Sequence, residues 1–258
     1  MSTRRARLVV AYDGTDFHGF APNVGVRTVL GELSAAISLV VRTPVELTGA
    51  GRTDAGVHAW GQVVSGDVPA DTDLAGLARR INKMHGPEIA VREAAWASPD
   101  FDARFSARFR HYRYHVWNDP APNPLEARTS WHVPHPLAVW AMQAAGDPLI
   151  GEHDFASFCR RPKVADGEPA PSLVRRVLDV GWSRLDGTPM LRFDIRATSF
   201  CHQMVRSIVG TMVDVGLGHR SAGELAAILR ARDRNVAGQV APPGGLVLWH
   251  VGYADESD

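Results

Sequence analysis

Lysine is nearly missing from this chain of 258 residues. Lys83 and Lys163 are the only two, so almost every cation is an arginine. Arginine forms bidentate contacts with phosphate and stacks on bases, which lysine does not. A GC-rich coding gene accounts for such a bias as readily as function does. Cysteine is equally scarce. Cys159 and Cys201 stand alone, so no disulfide framework is expected. With His153 and His202 they could supply soft metal ligands. No Cys-x-x-Cys or His-x-x-x-His spacing supports that, and the reading is two buried structural cysteines and no metal. Net charge is absent too, with 28 basic and 28 acidic residues. A neutral total does not advertise a nucleic-acid binder. No apolar run approaches the ~18 residues that a membrane helix needs. The basic start, Arg4-Arg5-Ala6-Arg7, is followed by an apolar run that stops at Tyr12-Asp13, too short for a signal peptide. The expected compartment is the cytoplasm, with no membrane partner.

What is present is a chain 45% apolar and 22% charged, which is globular and long enough for a substantial core. Its charges are unevenly placed. From Ala103 to Asn118 there is no acid, while Arg104, Arg108, Arg110 and Arg113 fall there. A second basic cluster is Cys159-Arg160-Arg161-Pro162-Lys163, and acids collect in the tail from Asp255 to Asp258. Basic patches on a neutral protein bind phosphate with salt-dependent affinity.

The periodicity predicts an alternation of strands and helices. Arg7 to Tyr12 reads as a strand closed by Asp13-Gly14-Thr15. Thr28 can cap a helix carrying Val29, Leu33, Ile37 and Val40 at helical spacing, ended by Pro44. Pro44 to Thr48 and Gln62 to Pro69 read as strands, Asp73 to Met84 as a helix, and Ile89 to Ala95 as a strand. Phe109 to Trp117 alternates strictly, with Arg110, Tyr112, Tyr114 and Val116 on one face. Two tyrosines in register beside arginines suit base stacking, or cross-strand packing within a sheet. A helix from Leu137, a hairpin through Asp186-Gly187, a long apolar helix from Phe200, a capping-box helix at Ser221 and a last strand from Leu246 complete the pattern. Pro162 to Pro171 shows no apolar period and is expected to be mobile. The expected fold class is α+β, with two β-α-β-β-α-β halves. The expected domains are residues 1–105 and 106–258.

Between two strands lies Gly49-Ala50-Gly51-Arg52-Thr53-Asp54-Ala55-Gly56-Val57-His58-Ala59. A cation, a hydroxyl and a carboxylate stand consecutively in a glycine-rich loop. It reads either as a solvated hairpin or as a scaffolded polar site. Asp54 could be nucleophile, base or electrostatic stabiliser. No second carboxylate lies nearby in sequence, as a two-carboxylate glycosidase needs. The glycines precede a strand, not a helix, so the dinucleotide fingerprint does not apply. No nucleophile-elbow string is present. Arg206, at the start of an apolar helix, either faces solvent or reaches a carboxylate.

The string Gly51 to Ala59 resembles the active-site signature of the tRNA pseudouridine synthase A family. Tyr12-Asp13-Gly14-Thr15, Phe101 to Ala107 with Tyr112-Arg113-Tyr114, His153 to Phe158, His202 to Gly210 and Gly245 to Leu248 resemble its further motifs, in order. The resemblance implies a pseudouridine synthase fold: two halves forming one mixed, mostly antiparallel sheet flanked by helices, with the active-site cleft between them. It implies conversion of uridine to pseudouridine at positions 38, 39 and 40 of the tRNA anticodon arm, by base flipping and without a cofactor. Asp54 would attack the ribose C1′ or the uracil C6. Tyr112 would stack on the flipped uracil and help at the C5 proton, and Arg206 would pair with Asp54. Arg52, Arg104, Arg110, Arg113 and Leu246 would bind substrate together with Tyr112. A homodimer embracing the tRNA is also implied. Where the family often has Gly-Trp-Gln, this chain has Gly19-Phe20-Ala21, a departure that bears on RNA contacts of that loop. His111 stands where Lys or Arg is common. The rival class is a non-catalytic RNA-binding module with paired ferredoxin-like halves.

Overall fold

The computed structural model describes residues 2–161, 164 and 170–254. Most of the expected mobile stretch from Pro162, Lys163 of the second basic cluster, and the acidic tail from Asp255 lie outside the described residues. In chain order the elements are β1 (Thr3–Tyr12), α1 (Val29–Val41), β2 (Thr48–Gly49), β3 (His58–Pro69), α2 (Leu74–His85), β4 (Ile89–Trp96), β5 (Phe109–Trp117), β6 (Trp131–His132), α3 (Val139–Gly146), β7 (Gly151–Asp154), β8 (Val174–Arg184), β9 (Met190–Ala197), α4 (Met204–Gly216), α5 (Glu224–Ala231) and β10 (Leu246–Gly252). The class is α+β, and the strand pairing is mostly antiparallel.

The chain divides into two compact units, residues 1–110 with 247–258 and residues 111–246. Sequence order assigns the last strand to the second half, whereas β10 from Val247 onward belongs to the first unit.

In the first unit the strands run β4-β1-β3-β10, with β2 also paired to β3. Leu8 and Val10 of β1 lie opposite Val64 and Gln62 of β3, and all four are buried. The two helices follow their apolar spacing. α2 buries Leu74, Leu77 and Ile81, and Asp73 caps it by accepting from the Gly76 amide at 3.0 Å. Thr28 stands at the N-cap of α1 but makes no side-chain capping bond. Of the expected strand from Pro44 to Thr48 only Thr48 is in a strand, as the first residue of β2. Pro44 has no N–H to give a ladder, and the Val45 amide donates to Ser38 Oγ instead.

In the second unit the order is β5-β9-β8-β7, with β6 beside β5. Tyr112, Tyr114 and Val116 are all buried, and the packing reading of that face holds for Tyr114. The hairpin β8–β9 turns at Asp186-Gly187 as expected. α4 is buried on nearly every side and packs Ile208, Val209, Met212 and Val213 away from solvent. At Ser221 the capping box forms: the Glu224 carboxylate accepts from the Ser221 amide at 2.8 Å and from its hydroxyl at 3.0 Å. The two cysteines correct the sequence reading. Cys159 and Cys201 are joined in a disulfide, their Cα atoms 5.9 Å apart. Folding of the chain brings together residues 42 apart, which spacing does not foretell.

Candidate active site

The loop carrying Asp54 is fixed from several sides, all within the first unit. β2 holds its entry against β3, and the Ala50 amide donates to the Val63 carbonyl at 2.8 Å. Gln62, fully buried, clasps Gly51: its side-chain amide donates to the Gly51 carbonyl at 2.7 Å and accepts the Gly51 N–H at 3.3 Å. The Tyr12 and Thr53 hydroxyls lie 2.8 Å apart, and the Phe20 amide donates to the Thr53 carbonyl at 3.1 Å. Burial pushes the Tyr12 hydroxyl up to about 12 against the hydrogen bonds of Thr53 and Gln62, so it stays protonated.

Asp54 itself is half-buried and opens a tight turn, its carbonyl accepting from the Val57 amide at 3.1 Å. Gly56 sits at φ 77, the left-handed value that the third residue of a type II turn requires. Behind the turn lies buried His58, its Nδ1 accepting from the Gly14 amide 3.0 Å away. Asp13 Oδ1 lies 3.1 Å from the same nitrogen and accepts from the Thr15 amide and hydroxyl. Each net hydrogen bond contributes only about 1 kcal/mol. Their number is what holds the backbone on either side of one carboxylate in a single conformation.

Arg52, next to Thr53, is exposed. Arg104 is also exposed, on the loop between β4 and β5. Arg110, also expected at the substrate, directs its guanidinium to backbone carbonyls. Nη2 donates to Ala50 at 2.9 Å and to Arg104 at 2.7 Å, and Nε donates to Ala50 at 3.3 Å. It ties the Asp54 loop to the Arg104 loop.

The remaining expected residues belong to the second unit. Arg206, in the first turn of α4, donates from Nε to the Ala241 carbonyl at 2.7 Å, and the Ala241 amide returns a bond to the Arg206 carbonyl at 3.1 Å. Tyr114 donates to the adjacent Pro242 carbonyl at 2.8 Å; burial raises its hydroxyl pKa, partly opposed by the nearby Arg206 charge. Tyr112 meets Phe200 edge-on with centroids 5.0 Å apart. Leu246 is buried. Arg113 donates to Asp194 at 2.9 Å, in company with His111 and Arg192.

Tyr12, Gly14, His58 and Gln62 are supporting residues that sequence reasoning did not single out as part of the site. Tyr12 and Gly14 lie in the string Tyr12-Asp13-Gly14-Thr15, which reads as a turn and as a motif of the family, without a role for either residue. Gln62 left no signal, because a glutamine in a strand is ordinarily a solvated one. Among the described residues, no group of three or more His, Cys, Asp or Glu is placed to hold a metal ion. No helix there is long and apolar enough to cross a membrane.

A family model described as tRNA pseudouridine synthase matches residues 145–254. Over 256 residues the chain is 44% identical to a protein of Frankia casuarinae named tRNA pseudouridine synthase A, covering 98% of this chain and 91% of that one. A protein of the same name from Geobacillus kaustophilus is 39% identical over 256 residues, covering 98% and 96%. One from Corynebacterium glutamicum is 41% identical over 265 residues, covering 96% and 89%. Among solved structures, a chain of a Cbf5–Nop10–Gar1 complex aligns over 96% of this chain and 50% of its own, at TM-score 0.38 and 11% identity, too distant to bear on fold or function. The Asp54 loop lies outside the span of the family model and inside the span of the full-length relatives.

Proposed function

Because the chain belongs to the tRNA pseudouridine synthase A family, we propose that it isomerises uridine to pseudouridine at positions 38, 39 and 40 of the tRNA anticodon arm, with Asp54 as nucleophile. Membership rests on relatives 44% and 39% identical over 98% of the chain. The assignment of Asp54 is supported by the loop that holds it: a carboxylate on a turn whose flanking backbone is bonded to Phe20, Gln62, Val63 and Arg110, and whose neighbour Thr53 is bonded through its hydroxyl to Tyr12. Preorganisation of that kind suits a group that must meet one reacting carbon.

The reaction balances without a second reactant. The Asp54 carboxylate adds to the ribose C1′ or the uracil C6, and the bond between uracil N1 and C1′ breaks. The uracil rotates, C5 bonds to C1′, the bond from Asp54 to C1′ or C6 breaks so that the carboxylate is regenerated, the C5 proton leaves and N1 gains one. No electron is transferred and no water consumed. Tyr112 is assigned to stacking and to the C5 proton, and Arg206 to orienting the Asp54 carboxylate, both on the family resemblance. A homodimer and a cytoplasmic setting, where tRNA is found, belong to the same proposal.

The test is an unmodified tRNA transcript, incubated with the protein and mapped for pseudouridine. The wild type converts uridine at 38–40. Asp54→Asn loses conversion by roughly 10⁴-fold or more while still binding tRNA. Modification elsewhere on the tRNA refutes the site, release of free uracil points to hydrolysis, and an active Asp54→Asn refutes the nucleophile. If the wild type binds but converts nothing, the non-catalytic module is correct.

A further inference from the structure

Phe105 is 80% exposed, an unusual place for a phenyl ring. The loop that presents it is not loose. Asp102 Oδ1 accepts both the Arg104 amide at 2.8 Å and the Phe105 amide at 2.9 Å. The Asp102 amide donates to Ser106 Oγ at 3.0 Å, and the Ser106 amide donates to the Asp102 carbonyl at 2.9 Å. Ala103 is fully buried: its amide donates to Ser65 Oγ at 3.0 Å, and its carbonyl accepts from the Tyr253 hydroxyl at 2.8 Å. Arg110 then bonds the Arg104 carbonyl at 2.7 Å and the Ala50 carbonyl at 2.9 Å, so the same guanidinium grips the Asp54 loop. The Arg104 guanidinium carbon lies 5.3 Å from the Phe105 ring centroid. No acid occurs between Ala103 and Asn118.

We propose that Phe105 and Arg104 form a base-stacking and phosphate-binding pair for an unpaired nucleotide of the RNA substrate, held in register with the Asp54 loop by Arg110. The proposal rests on the function read above. An aromatic ring takes any base by its π-face, and a cation beside it takes the phosphate of the same nucleotide. A locked backbone leaves little ordering entropy to lose on binding, which turns an exposed ring from a liability into a contact. Arg110, whose donors go to carbonyls, is a positioning residue in this scheme and not a phosphate ligand.

The experiment measures binding of two end-labelled RNAs by fluorescence anisotropy, an anticodon stem-loop and a blunt duplex of equal length. Phe105→Ala is expected to weaken the stem-loop by about tenfold or more and leave the duplex unchanged. Phe105→Trp should restore binding, and Phe105→Leu, apolar but without a π-face, should not. Arg104→Ala should weaken both RNAs and lower the salt slope by about one. The idea is overturned if Phe105→Ala binds the stem-loop as the wild type does. Rescue by leucine, or an equal loss on the duplex, overturns it as well. So does a changed mass in solution, which would make Phe105 a contact between two copies. A wild type that binds the stem-loop but forms no pseudouridine refutes the enzymatic reading and leaves this binding test intact.

Discussion

Asp194 shows how a residue's neighbours decide its charge. Burial disfavours its carboxylate, but hydrogen bonds from His111, Arg113 and Arg192 outweigh that and hold its pKa well below the usual carboxylate range. A depressed folded-state pKa stabilises the fold at pH above the ordinary carboxylate value, and that contribution is lost as pH falls towards the folded value. Asp194→Asn is therefore expected to lower stability by about 2 kcal/mol at neutral pH. The gap should shrink below about pH 4. Urea unfolding of both proteins at pH 7 and pH 3 measures it, and a gap that does not change with pH would rule out the assigned cause. The same residue scale marks a limit of sequence reading. Asp54 was legible, because its whole surrounding string lies in one stretch. The committed donors of Arg110 and Arg113 were not, because their partners Ala50 and Asp194 stand 60 and 81 residues away.

Among the elements, α4 carries the tightest constraint. A Cβ on Gly210 would run into the Gln239 carbonyl carbon at 2.9 Å and the Ala241 amide nitrogen at 3.3 Å. Backbone cannot yield as a flexible side chain does. Helix propensity favours Gly→Ala by about 1 kcal/mol, whereas overpacking against backbone costs about 1–3 kcal/mol. The collision should win, so Gly210→Ala is expected to lower the melting temperature; a rise would show that the chain beside α4 gives way. Elements with a full apolar period, α2 and the β8–β9 hairpin among them, were readable from sequence. β6 (Trp131–His132) and β7 (Gly151–Asp154) were not, since strands of two and four residues hold no period to read.

At the scale of the molecule, the first unit depends on the far end of the chain. Val247 and Leu248 of β10 pair with His58 and Ala59 of β3, directly after the Asp54 loop. The Gly252 carbonyl accepts from the Arg108 amide at 2.8 Å, and Tyr253 reaches Ala103. A chain ending at Leu246 should therefore lose hydrogen-exchange protection in β1 and β3 while β8 and β9 keep theirs. Unchanged protection in β3 would mean that the first unit stands without its returning strand.

The sequence by itself determined the order of the longer strands and helices, the faces they bury and the string that carries Asp54, since each is written in spacings of two to four residues or in one unbroken stretch. It also determined the family. Only the tertiary structure decided that Cys159 and Cys201 are bonded, that Arg110 binds two loops, and that β10 joins the first unit. These depend on segments 42 and 60 residues apart, and on Val247 of β10 and His58 of β3, meeting in space. Local spacing fixes which way a side chain points, and the packing of the whole chain fixes what it meets.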